Sequence, residues 1–73
     1  MLIKEKLKWV EDNFTFPKDK QNLDVKEVAT IAGDTAQTWK SRVRNGEIKH
    51  IRFSNKILIP VAELKRYLAE KLV

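Results

Sequence analysis

The segment "AGDTAQTWKSRVRNGEIKH", residues 32–50, places two glycines on either side of a short stretch with helical periodicity. Gly33 and Gly46 are the only glycines in the chain, and each can adopt the left-handed conformation that ends a helix. Upstream, Asp24 and Glu27 have the spacing of a capping box, which predicts a preceding helix that ends at Gly33. Two short helices joined by a tight glycine-containing turn predict a helix-turn-helix.

The second of these helices, predicted over residues 35–45, has two distinct faces at about 100° per residue. Ala36, Trp39 and Val43 fall in one narrow sector, which predicts a buried face. A polar and basic sector lies well apart from it and predicts an exposed face. The members of that sector are Gln37, Lys40, Ser41 and Arg44. Either Asp34 or Thr35 has a side chain suited to capping the start of the helix.

The positive charge of the chain is concentrated around this helix. The 73 residues carry a net charge of +5, yet residues 1–33 hold six lysines and six acidic residues and therefore sum to zero. Residues 34–56 hold six lysines and arginines but only two acidic residues, Asp34 and Glu47. Such concentration on one segment indicates a polyanionic partner.

The exposed face carries side chains that can read base edges in a DNA groove. Lys40 and Arg44 can donate to guanine O6 and N7, and Gln37 can form a bidentate pair with adenine. Ser41 is short enough to allow close approach, and Thr35, at the helix start, is expected to meet a phosphate. Further predicted contacts to the flanking DNA backbone come from Arg42, Lys49, Arg52 and Lys56.

The N-terminal segment, residues 2–14, has the apolar spacing of an amphipathic helix. Its stripe consists of Ile3, Leu7, Val10 and Phe14. A last helix is predicted to begin with Pro60 at its first position. The apolar stripe of that helix consists of Val61, Leu64, Leu68 and Leu72, with Tyr67 beside it.

Residues 48–59, "IKHIRFSNKILI", alternate in hydropathy and predict a β-hairpin. We predict a three-residue turn over residues 54–56, which pairs Phe53 with Ile57 and Ile51 with Ile59. The alternative is a two-residue turn at Ser54-Asn55, which would pair Phe53 with Lys56. We prefer the three-residue turn because it gathers those four apolar side chains on one face.

Composition excludes several classes of function. The chain has no cysteine and a single histidine, which argues against a zinc site, and the sequence contains no catalytic constellation. No apolar run approaches the roughly 20 residues needed to cross a bilayer, and the N-terminus lacks the pattern of a signal peptide. We therefore predict a cytoplasmic protein that is not an enzyme. We expect it to bind no cofactor, metal ion or small-molecule substrate and not to associate with a membrane.

The pattern "LDVKEVATIAG…T…W…VRNGEIKHIRF…KILIPVAELKRYL" resembles the excisionase-like, MerR-related winged helix-turn-helix DNA-binding domains. The resemblance covers residues 23–70, and its elements occur in the order typical of that family. It implies a mostly α, winged helix-turn-helix fold with a small β-hairpin wing and a C-terminal helix. The extra N-terminal helix predicted from the apolar stripe lies outside the common core of the family. The single domain would span residues 1–73, with residues 1–16 as an N-terminal helical extension and residues 23–73 as the core.

The resemblance also implies a function. The second helix would enter the major groove of duplex DNA, and the wing would touch backbone or minor groove near Ser54, Asn55 and Lys56. Small members of the family are often excisionases, which bend attachment-site DNA and assist an integrase in a bacterial or phage-infected cell. Self-association on repeated sites is a further expectation. The alternatives are a phage or plasmid transcription regulator, a DNA-packaging subunit such as a small terminase subunit, and an antirepressor-like protein-interaction module.

Overall fold

Residues 2–72 form four helices and a three-stranded antiparallel sheet. A computed structural model describes residues 2–72, so Met1 and Val73, the ends of the predicted domain, lie outside the described residues. The elements in chain order are α1 (Ile3–Asn13), β1 (Asn22–Asp24), α2 (Val25–Ala32), α3 (Ala36–Arg44), β2 (Ile51–Phe53), β3 (Lys56–Pro60) and α4 (Val61–Glu70). The strand order is β1-β3-β2. The predicted winged helix-turn-helix is therefore confirmed.

One hydrophobic core joins α2, α3, α4 and the sheet. Its completely buried side chains are Leu23, Val28, Trp39, Ile59 and Leu64. The N-terminal helix α1 packs along α4 and buries Val10. Most of the driving force for folding comes from removing these apolar surfaces from water. The core therefore fixes the positions of α3 and of the hairpin relative to each other.

Helix α2 begins and ends with the local interactions that the sequence predicts. The Asp24 carboxylate accepts a hydrogen bond from the Glu27 N–H at 2.8 Å, and the Glu27 carboxylate accepts from the Asp24 N–H at 3.3 Å. This reciprocal pair is a complete capping box. At the other end Gly33 has φ 77°, and the Asp34 N–H donates to the Ala29 carbonyl at 2.9 Å. Both ends of α2 are thus set by residues close in sequence.

Helix α3 follows after only three residues, with Thr35 as its N-cap. The Thr35 hydroxyl accepts from the Thr38 N–H at 3.3 Å, which decides between the two candidate caps. At the C-terminus Gly46 has φ 73° and its N–H donates to the Val43 carbonyl. The Glu47 N–H donates to the Arg42 carbonyl, and these two bonds form a Schellman motif.

The predicted register of the hairpin is wrong. Strand β2 pairs with β3 so that Phe53 lies opposite Lys56 and Ile51 opposite Leu58, around a two-residue turn at Ser54 and Asn55. Ser54 has φ 56°, and a positive φ at the first turn residue is typical of tight hairpin turns. A shift of this kind turns side chains to the opposite face. Accordingly, Ile51 and Phe53 point to solvent instead of the core.

This register is compatible with the buried core because β3 also pairs with a strand along its other edge. The third strand, β1, was not predicted, and its central residue Leu23 pairs with Ile59. Both side chains are completely buried, so they fix which face of β3 is turned inward. The edge strand β2 therefore does not have to supply apolar side chains to the core. Ile48, just before β2, is buried and belongs to the hydrophobic core.

The start of the last helix also differs from the prediction. Pro60 is the last residue of β3 and the N-cap of α4, and Val61 is the first helical residue. The Val61 N–H donates to the Gln21 carbonyl at 2.8 Å, which ties the helix start to the segment before β1. Proline suits this position because its fixed φ allows the chain to pass from strand to helix.

We predict that Trp39→Ala lowers the free energy of unfolding by about 3–5 kcal/mol, because it empties the largest buried site in the core. Trp39→Phe is the matched control. It keeps an aromatic ring and removes an indole N–H that has no hydrogen-bond partner in the structure, so its loss should be much smaller. Urea titration followed by circular dichroism measures both. A fully stable Trp39→Ala variant would show that the assigned orientation of α3 is incorrect.

A second stability prediction concerns Gly46. An added Cβ would meet nothing within 4 Å, so Gly46→Ala should cost only the strain of the left-handed conformation, about 1–2 kcal/mol. Gly46→Asn should cost less, because asparagine tolerates positive φ better. Thermal denaturation of the two variants checks this order. Equal stability of the alanine variant and the wild type would argue against the left-handed cap.

Candidate nucleic-acid interface

The outward face of α3 is solvent-exposed over its length. Gln37, Lys40 and Arg44 are exposed, whereas Trp39 and Val43 on the opposite side are buried. Ser41, between the exposed side chains, is half-buried. The helix thus has the two faces that its periodicity predicts. A nucleic acid could approach the polar face without displacing any part of residues 2–72.

Arg42 packs against other side chains of the protein, unlike the exposed cations Lys40 and Arg44 of α3. Its guanidinium carbon is 4.5 Å from the centre of the Trp39 ring and 5.8 Å from that of Tyr67. Its Nη1 is 3.3 Å from a carboxylate oxygen of Asp34. Such cation–π contacts contribute about 0.5–2 kcal/mol each. Arg42 therefore holds α3 against α4, and these contacts compete with its predicted role at the DNA backbone.

Thr35 likewise combines a structural role, capping α3, with a predicted role in binding a phosphate. Its hydroxyl is already engaged in capping α3 and lies 3.0 Å from the Thr38 hydroxyl. The side chain is nevertheless exposed at the positive end of the helix dipole, where a phosphate is favoured. A phosphate bound there would share Thr35 with the helix cap.

The structure brings α3 and the hairpin together along two open clefts. One, of about 500 Å³, is lined by Lys40, Arg44, His50 and Arg52. The other, of about 670 Å³, has Lys40 on one side and Asn55 and Lys56 of the hairpin on the other. Lys40 therefore lies between the helix face and the hairpin tip. Cations that are distant in sequence thus line neighbouring clefts, of which the larger is also lined by Asp24 and Glu27.

Lys49 lines neither of these two clefts. It lines a separate cleft with Glu47, Glu63 and Glu70, between the start of the hairpin and α4. The nearby carboxylates reduce its attraction for a polyanion. Of the predicted flanking contacts, Arg52, Ser54, Asn55 and Lys56 lie at or beside the two clefts, and Lys49 lies apart from them.

Some lysine and arginine side chains pair with carboxylates of the protein, whereas others do not. Within residues 2–72, the side-chain ion pairs join Lys20 to Glu27, Arg42 to Asp34 and Lys65 to Glu11. The Glu27 carboxylate, 2.6 Å from the Lys20 ammonium, also raises the pKa of that lysine. In the same part of the chain, Lys40, Arg44, Arg52 and Lys56 form no ion pair. Their charge remains available to a ligand.

Two residues near the site were not among the predicted DNA contacts. His50 is half-buried in the cleft beside Arg44, and its Nδ1 lies 3.2 Å from the Ile48 carbonyl oxygen. Phe53 was expected to face the core and is instead 71% exposed beside the hairpin turn. Hydropathy alternation could not reveal Phe53, because it leaves the register open by one residue. The turn-forming pair Ser54-Asn55 was the one local signal for the shorter turn.

Residues 2–72 contain no cluster of three or more histidine and acidic side chains arranged to hold a metal ion. Across the same residues, none of the helices is long and apolar enough to cross a membrane.

Comparison with known proteins identifies the fold family. A family model described as a helix-turn-helix domain matches residues 23–72, which run from β1 to just beyond α4. No curated protein and no solved structure was found to be significantly similar to the chain. The match covers more than half of the chain and includes the capped helices, the hairpin and α4. The protein therefore belongs to the helix-turn-helix domain family, which is associated with excisionase-like and phage DNA-binding proteins, and this membership supports DNA binding.

Proposed function

We propose that the protein binds duplex DNA in a sequence-specific way and acts as an excisionase, a recombination directionality factor that bends attachment-site DNA and assists an integrase. The observation that carries the proposal is the exposed face of α3, where Gln37, Lys40 and Arg44 stand opposite the buried Trp39. These are the side-chain types that hydrogen-bond to base edges in the major groove. The site of action would be the cytoplasm of a bacterial or phage-infected cell.

The hairpin supplies the second part of the proposed interface. With α3 in the major groove, Arg52, Asn55 and Lys56 would meet the phosphates and the adjoining groove, because they line the clefts between hairpin and helix. Phosphate contacts of this kind fix the orientation of a protein on DNA but carry no sequence information. Sequence discrimination is therefore assigned to Gln37, Lys40 and Arg44.

The size of the interface supports action in several copies or with a partner. A single helix of nine residues can read only a few base pairs, and a small module buries about 600–1,000 Å² against DNA. Repeated sites or a second DNA-binding protein would supply the remaining specificity. An integrase bound at the same attachment site is the partner that the excisionase role requires.

The recombination role is tested with the integrase encoded in the same genome. Purified protein, integrase and a plasmid carrying paired attachment sites are combined, and excised circles are counted with and without the protein. The proposal expects excision to depend on the protein. If excision does not change and a promoter reporter responds to the protein instead, the role is that of a transcription regulator that uses the same DNA-binding face.

Base reading by α3 gives the first binding prediction. Lys40→Ala and Arg44→Ala should each weaken binding to a duplex selected from a randomised pool by about 1–3 kcal/mol, without lowering the free energy of unfolding. Arg66→Ala, which removes an exposed arginine from α4, is the matched control and should bind as the wild type does. Gel-shift titration against selected and scrambled duplexes measures the effect.

The outcomes of that titration are distinct. Equal affinity for selected and scrambled duplexes, in the wild type and both variants, would contradict base reading while leaving DNA binding in place. Failure of the wild type to bind any duplex would contradict the whole proposal. It would favour a protein-interaction role, for which Lys40 and Arg44 are not needed.

Salt dependence gives the second binding prediction. The logarithm of the binding constant should fall linearly with the logarithm of salt concentration, with a slope of about −0.9 per phosphate neutralised. Lys56→Gln should make the slope shallower by about 1 and weaken all sequences alike, because its free ammonium faces the backbone. Lys8→Gln on α1 makes the same change of charge away from the clefts and should leave the slope unaltered. An identical slope for all three proteins would exclude Lys56 as a phosphate contact.

A further inference from the structure

Phe53 is exposed to an unusual degree for an aromatic side chain held in a sheet. Its exposed fraction of 71% is the largest among the big apolar side chains in residues 2–72. Its neighbour on the same face of β2, Ile51, is 46% exposed. Adjacent exposed apolar side chains with polar residues around them form a patch of the kind that commonly marks contact with a partner.

The local structure fixes Phe53 at the tip of the hairpin. It pairs with Lys56 directly beside the two-residue turn, so its backbone is constrained by the β2–β3 ladder. Arg52, the preceding residue, points to the other face and lines the cleft that contains Lys40 and Arg44. The cations of the interface and the exposed ring therefore lie on adjacent residues of one short strand.

The charge around Phe53 indicates what can cover it. Residues 48–62 contain Lys49, Arg52 and Lys56 and no acidic residue. Edge-to-edge pairing with a second copy through β2 would bring Arg52, the one charged residue of this three-residue strand, close to the same arginine of the copy, which is unfavourable. Duplex DNA offers the complementary combination, because apolar base faces lie between rows of phosphates. An aromatic ring flanked by cations matches that arrangement.

We propose that Phe53 is a wedge residue that inserts against a base step where the hairpin meets the DNA, partly unstacks it and thereby bends the duplex. The inference rests on the proposed function, since it requires α3 to dock first. Inserted apolar side chains at protein–DNA interfaces kink the duplex by about 20–90°. Pyrimidine–purine steps deform most easily, so such a step is the expected partner of the ring. Sequence preference would then arise at a position that α3 does not touch.

The test compares Phe53→Ala and Phe53→Leu with the wild type on a duplex that the wild type selects from a randomised pool. Leu2→Ala, which truncates a similarly exposed apolar residue (70%) just before α1, is the matched control. Affinity is measured by gel shift, and bending by energy transfer between dyes at the two ends of the duplex. Unstacking is followed through 2-aminopurine placed at successive steps.

The wild type should bend the DNA and raise 2-aminopurine fluorescence at one step. Phe53→Ala should weaken binding by roughly 5-fold to 100-fold, abolish the fluorescence rise and reduce the bend, with an unchanged salt slope because no phosphate contact is lost. Phe53→Leu should retain part of the bend, since leucine also serves as a wedge. Because the ring is exposed, all variants should keep the thermal stability of the wild type.

Wild-type affinity and bending in Phe53→Ala would overturn the wedge. If Lys40→Ala still weakened binding in that case, the proposed function would stand while the inference failed. Dimerisation of the free protein that Phe53→Ala abolishes would also overturn the inference, because it would identify a second copy as the occupant of this surface.

Discussion

The burial of Trp39 is the interaction on which the interface depends. Its ring packs edge-on against Tyr67 of α4, with the ring centres 5.4 Å apart, and the Arg42 guanidinium covers it from the same helix. A helix of nine residues has little preference for one rotation about its axis until one side is anchored. Once Trp39 and Val43 occupy the core, Gln37, Lys40 and Arg44 must point to solvent. The binding face is therefore a consequence of packing on the opposite side.

Some positive side chains on this surface form ion pairs within the protein, and others remain unpaired and can attract a ligand. Asp34 neutralises Arg42, which is already occupied by aromatic rings, and Glu27 pairs with Lys20 at the edge of the larger cleft. By contrast, no carboxylate within residues 2–72 pairs with the other cations of α3 and the hairpin that line the clefts, which are Lys40, Arg44, Arg52 and Lys56. Free cations on a rigid frame attract a polyanion without having to break internal ion pairs first. The position of the positive charge, as well as its amount, therefore supports the proposed interface.

The hairpin adds a second kind of surface to the proposed interface. Its anchoring strand β3 is held by β1 through the buried pair Leu23 and Ile59, so the edge strand β2 is free to present side chains outward. One face of β2 directs Arg52 towards the cleft, and the other exposes Phe53. Helix and hairpin would therefore combine base reading with deformation of the DNA, two sources of specificity that act at different base pairs.

The sequence by itself determined the local features of this protein. The capping box at Asp24, the glycine ends of both short helices and the rotational phase of α3 follow from residues within one or two turns of each other. Tertiary structure decided the hairpin register, the pairing of strand β1 and the packing of Arg42 against the rings of Trp39 and Tyr67. Hydropathy alternation allows two registers, and the choice depended on a turn conformation at Ser54 and on a strand more than 30 residues away. Contacts between distant segments have no signature in local spacing, so Phe53 became visible as an exposed residue only in the folded chain.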